Sequence, residues 1–161
     1  MIQQIVNGIL LGGVYALVGV GMSMIFGIVQ LTNLAHGEFV ILSAYLSTVF
    51  CTSLGLHPLL TLIITVPLMF VVGIVLQNLL INRVMARGSE PALLVTFGLS
   101  IIIQNGLLLL FSADAQRMVT SFQSMSIKLG PITLPVLNLL VFAIGVVVVL
   151  LLDLFMKKTY L

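Results

Sequence analysis

Within one stretch of six residues the chain gathers an amide, an imidazole and a carboxylate, in the order Asn33-Leu34-Ala35-His36-Gly37-Glu38. Such a set can hydrogen-bond a polar solute, line a wet passage or hold a proton. Glu38 is the only formally charged side chain before Arg83. A carboxylate at bilayer depth costs about 2.5–3.5 kcal/mol or more, so something must solvate it. Two accounts stay open. In one, the stretch is a water-exposed helix junction, with Asn33 capping the next helix and Glu38 near its positive N-terminal end. In the other, Asn33, His36 and Glu38 form the polar wall of a translocation path, or a hinge. A metal centre does not fit, because on a helix His36 and Glu38 point to nearly opposite faces and His57 lies far along the chain.

Two further groups of residues stand out. Gln104 and Asn105 are amides in the middle of an apolar run; they can hydrogen-bond between helices, at about 0.6 kcal/mol on average, or touch a solute. Gly8, Gly12 and Ala16 recur at four-residue spacing, as do Gly19, Ser23 and Gly27. Small side chains let helix backbones approach closely in lipid, which predicts close packing within a bundle and a central place for this helix.

The catalytic reading fails on inspection, and an intramembrane hydrolase, though conceivable, lacks a nucleophile and base pair. The lysines are Lys128, Lys157 and Lys158, and none follows a Gly-x-x-x-x-Gly phosphate loop. There is no Gly-x-Ser-x-Gly turn and no His-Glu-x-x-His. Cys51 is the sole cysteine, which rules out an intrachain disulfide and a thiol metal cluster. The chain is read as a non-enzyme that binds no cofactor of its own.

The elements that must position these residues follow from composition. Of 161 residues, 61% are hydrophobic and 6% charged, and the mean hydropathy is +1.34. A soluble fold cannot cover that much apolar surface, so the solvent is lipid. The net charge of +2 is weak and scattered, which argues against a nucleic-acid partner. The N-terminus carries no Lys or Arg and no small-residue cleavage pattern, so the first segment is expected to stay. Apolar runs at 5–28, 39–54, 59–81, 92–111 and 134–155 predict an all-α transmembrane bundle of about five spans. The second is short unless it starts near Leu34. Pro58 starts the third and Pro67 is expected to kink it. Residues 82–90 read as a polar loop with Arg83 and Arg87. Ser89, Glu90 and Pro91 supply a cap and first turn for the fourth span. Residues 112–132 read as a polar connection with Asp114, Arg117 and Lys128, closed by Gly130-Pro131, in which Met118, Phe122 and Met125 could form a short surface helix. Two spans separate the Arg83–Arg87 loop from Lys157 and Lys158, so both flank one face, the cytoplasmic one. The N-terminus then lies outside, although a re-entrant helix near His36 would reverse that end.

Several of these residues carry a resemblance. Asn7-Gly8 with Leu11-Gly12, then Tyr15-Ala16-Leu17, Gly27-Ile28 and the run from Asn33 to Glu38, are similar to the N-terminal part of the permease subunits of branched-chain amino-acid ABC importers. Leu34 stands where that family usually has Phe. Thr96-Phe97-Gly98-Leu99-Ser100 with Gln104-Asn105 resembles the family's second polar helix segment. The resemblance implies a pathway subunit in the bacterial inner membrane for leucine-like amino acids or small amides such as urea. It further implies a second permease subunit, two cytoplasmic ATPase subunits that handle ATP, and an extracytoplasmic solute-binding protein. Family permeases are nearly twice as long, so residues 1–161 are expected to form one permease domain resembling an N-terminal half, ending where the ATPase-coupling loop would begin and unable to transport alone. The competing expectation is a small self-assembling membrane channel or scaffold, complete at this length.

Overall fold

The computed structural model describes residues 2–86, 88–112, 126–129 and 132–159. The elements in chain order are α1 (Ile2–Val29), α2 (His36–Leu54), α3 (Pro58–Leu76), a π-helical turn (Gln77–Ile81), α4 (Asn82–Met85), α5 (Ser89–Phe111), β1 (Ser126–Leu129), β2 (Ile132–Pro135) and α6 (Val136–Thr159). Among the described residues five helical stretches are long and apolar enough to cross a membrane: Ile2–Ile28, His36–Leu54, Pro58–Met85, Glu90–Phe111 and Val136–Lys158. Their outward surfaces are apolar, with Leu109 87% and Leu110 79% exposed, as expected where the surrounding solvent is hydrocarbon.

The chain divides into two compact units. The first comprises residues 1–24 and 119–161. Here the start of α1 lies beside the start of α6. The Gln3 amide donates to the carbonyl of Thr133 at 2.6 Å and accepts from its N–H at 2.7 Å. Further along, Gly13 meets Phe142 so closely that a Cβ on Gly13 would run into the ring. The two helices therefore run parallel. β1 and β2 pair antiparallel, with Leu129 opposite Ile132 and Ser126 opposite Pro135. At the far end of α6, Lys157 donates to Asp153 one turn earlier at 2.7 Å.

The second unit comprises residues 25–118. Gly55, at φ +62°, ends α2 in the left-handed conformation that costs glycine least. His57 then accepts from the N–H of Leu59 and Pro58 opens α3, where its missing N–H is no loss. α3 runs back along α2: Ser47 and Thr61 share a hydrogen bond at 2.6 Å, and Thr61 also donates to the carbonyl of Pro58. α2 and α5 run parallel, because Leu34 meets Thr96 near their starts and the Tyr45 and Phe111 rings stack at 4.5 Å near the end of α5. Leu31, Ile81 and Ala92 form a buried cluster, closed by Val84 and Met85.

Three sequence expectations need correction. Residues 82–85 are helical, not loop, because Asn82 and Arg83 continue α3 through the π turn. The connection at 112–132 contains a strand, and α6 starts at Val136 because Ile132–Pro135 is extended and paired. The signal was two β-prone runs two residues apart. α2 starts at His36, three residues before Phe39. The helix at Met118, Phe122 and Met125 lies outside the described residues, as do Arg87, Asp114 and Arg117.

Candidate functional site

The break between α1 and α2 is built by hydrogen bonds rather than left to water. Gln30 ends α1 at φ +53°, its N–H bonded to the carbonyl of Phe26. Asn33 is 9% exposed. Its Oδ1 accepts from the N–H of Ala35 at 3.0 Å and its backbone carbonyl accepts from His36 at 3.1 Å. Asn33 thus shapes the turn that leads into α2 but does not cap the helix as expected: the N-cap is Ala35, two residues on, with no side-chain cap hydrogen bond. The N–H of Leu34 donates to Thr96 Oγ1 at 3.3 Å, and that hydroxyl donates to the carbonyl of Leu93. Thr96 and Ala35 are fully buried. One threonine of α5 therefore pins the break.

That contact also sets a depth. Leu34 is level with Thr96, and a helix rises about 1.5 Å per residue. The Tyr45–Phe111 stack provides a second register mark. Together they place Glu38 level with residues 100–104, near the middle of the span Glu90–Phe111. Glu38 lies in the first turn of α2, where the helix dipole favours a negative charge.

The expected polar residues fall into two cavities. Asn33 and His36 line one of about 270 Å³ with Gln77 and otherwise apolar side chains such as Phe39, Met69 and Leu99. Glu38 and Gln104 line another of about 160 Å³ between α2 and α5, with Tyr45, Ile41, Leu108 and Ser112. Asn105 lines neither; it is exposed and donates to the carbonyl of Ile101 in its own helix. Gln77 opens the π turn and donates to Asn82 at 2.9 Å, which donates to Asn78 at 3.1 Å. Such π turns often mark functional positions in helices. Among the described residues no group of three His, Cys, Asp or Glu side chains could hold a metal.

The small-residue positions behave differently from expectation. Gly8, Gly12, Ala16, Gly19, Ser23 and Gly27 are all exposed, and a Cβ added at any of the four glycines would meet nothing within 4 Å. The glycine that packs is Gly13, off that stripe. Thr96 and Gln77 were not singled out from the residues alone. Their signal was a polar side chain inside an apolar run, Thr96 by itself and Gln77 beside Asn78, which marks an inward face in lipid.

Residues 4–161 match the family model described as the branched-chain amino acid transport system / permease component. The chain belongs to this family. It is 26% identical over 172 residues to the high-affinity branched-chain amino acid transport system permease protein BraD of Pseudomonas aeruginosa, covering 99% of this chain and 56% of that protein. It is 35% identical over 112 residues to LivH of Escherichia coli K12, covering 65% of this chain and 36% of that protein, and 33% identical to LivH of Salmonella typhimurium. The chain thus spans about half or less of these relatives' length. No solved structure matches it. Permeases of this family reside in the bacterial inner membrane, carry no catalytic site of their own and work with partner subunits of an ABC transporter. The five spans among the described residues accord with the membrane location.

Proposed function

We propose that this chain forms part of the membrane path of an ABC importer for amino acids with branched apolar side chains. It would act with a second permease subunit, two cytoplasmic ATPase subunits and an extracytoplasmic binding protein. The observation that carries this reading is the break between α1 and α2, which brings Asn33, His36 and Glu38 to apolar-walled cavities inside the second unit. Broken helices at membrane depth are tolerated where they line a cavity, and transporters use them to offer polar groups to a solute. The apolar walls suit a branched side chain while Asn33, His36, Gln77 and Glu38 suit its polar head. ATP binding in the partners would drive alternating exposure of these cavities, provided the partners contact the two states differently.

The test is leucine uptake in proteoliposomes containing the assembled importer. Glu38→Gln and Asn33→Leu are each expected to cut ATP-driven uptake about tenfold or more without reducing membrane insertion. Unchanged uptake in both variants would remove the path from this break. Uptake of urea but not leucine would overturn the solute class.

A further inference from the structure

The carboxylate of Glu38 faces a cavity near the middle of the span, and among the described residues no hydrogen bond or ion pair reaches it. Among the described residues no Lys, Arg or His lines that cavity. A negative charge in such a place is stabilised by a cation brought to it. The lining says which kind. A hard metal ion wants six or more oxygen ligands, or an octahedral shell with retained waters. Glu38 is the one charged ligand among Gln104, Tyr45 and Ser112, and Ile41 and Leu108 complete the wall with apolar surface, which suits a cation that carries an apolar part better than a hydrated metal ion. A primary ammonium carries three N–H donors, which a carboxylate, an amide oxygen and a hydroxyl can accept. The electron-rich face of Tyr45 would add attraction for the same cation.

We propose that the cavity between α2 and α5 is a binding site for an organic ammonium group with a short apolar tail, with Glu38 as counter-ion and Gln104 as second acceptor. Resting on the solute-path reading, it is the subsite for the solute's α-ammonium. The polar cavity of Asn33, His36 and Gln77 is a separate compartment and is not needed for this recognition.

The test uses the full chain in lipid nanodiscs and radiolabelled isoamylamine in a scintillation-proximity assay. Isoamylamine carries the ammonium and branched tail without a carboxylate. Saturable binding is expected, weakened about tenfold or more by Glu38→Gln. The pair Glu38→Gln with Gln104→Glu, which moves the charge across the cavity, is expected to recover most of the affinity. That recovery ties the loss in the single variant to the missing charge. Isocaproate, which keeps the tail but lacks the ammonium, and sodium chloride at matched ionic strength are expected not to compete. Amine binding indifferent to Glu38→Gln would overturn the assignment, as would displacement by sodium. Binding that arises only after Arg117→Gln would show the carboxylate engaged by the chain's own cation and would overturn it too. Leucine uptake by the assembled importer is measured beside it. Amine binding without uptake would remove the path reading and keep the site, whereas uptake without amine binding would do the reverse.

Discussion

The two units of this chain solve the same problem with different materials. In the first, α1 and α6 meet through Gly13 and Phe142, an apolar contact made close by the missing side chain, and the polar clamp of Gln3 on Thr133 sits at the helix starts. In the second, hydroxyls and an amide are placed inside: Thr61, Thr65, Thr96 and Asn33 are its buried polar side chains among the described residues. Lipid gives apolar surface no reason to turn inward, so close fit and polar partners decide which faces meet. A unit held by shape can stay featureless inside. A unit held by polar groups has them at hand for a solute, and both candidate cavities lie there.

The largest effect that would break this comparison is expected at Gly13. Its Cβ position is occupied by the Phe142 ring, so Gly13→Leu should cost about 2–3 kcal/mol by overpacking, read as SDS-induced unfolding in mixed micelles. Gly12→Leu, whose Cβ position is open, should change stability by less than about 0.5 kcal/mol. Equal losses at both would place the contact on the stripe after all.

The next effect concerns the pinned break. Thr96→Val removes the acceptor for Leu34 and should cost about 1 kcal/mol, while Thr96→Ser keeps it and should cost less than half of that. Hydrogen exchange of the Leu34 amide should rise in Thr96→Val alone. If exchange rises equally in both, the hydroxyl is not what holds the turn.

A smaller change of opposite sign would sharpen the contrast. Thr65 is 4% exposed and its hydroxyl has no partner among the described residues. Thr65→Val keeps the shape and removes an unsatisfied group, so it should raise stability by about 0.5–1 kcal/mol in the same assay. A loss instead would show that the hydroxyl is bonded in the membrane. The smallest effect is expected from Gln3→Leu, which deletes three exposed hydrogen bonds, one to Asn7 and two to Thr133. It should cost roughly 0.5 kcal/mol and speed exchange at Thr133 without touching the second unit.

Much of the fold was legible. The spans could be counted from apolar runs, because their length is fixed by bilayer thickness and every residue in them reports the same solvent. The break at Asn33–Glu38 showed because polar residues are costly in such a run. The end of α3 was misread because Asn82 and Arg83 look like loop, although a helix can carry polar residues beyond the bilayer at no loss. The hairpin was missed because eight strand residues are too few to outweigh a polar connection in which no apolar run is long enough to span.

What the sequence by itself determined is the solvent, the number of spans, the family motif and the place where a helix must break, all of which depend on composition along a single run. What only tertiary structure decided is which polar side chains share a space: Glu38 with Gln104, Asn33 and His36 with Gln77, and Asn105 with neither. The reason is physical. A helix in water shows its inward face by where the apolar residues stop, whereas a helix in lipid is apolar all round, so its sequence period does not say which side meets a neighbour. Gly12 and Gly13 are adjacent and alike in sequence. Only the approach of Phe142 tells them apart.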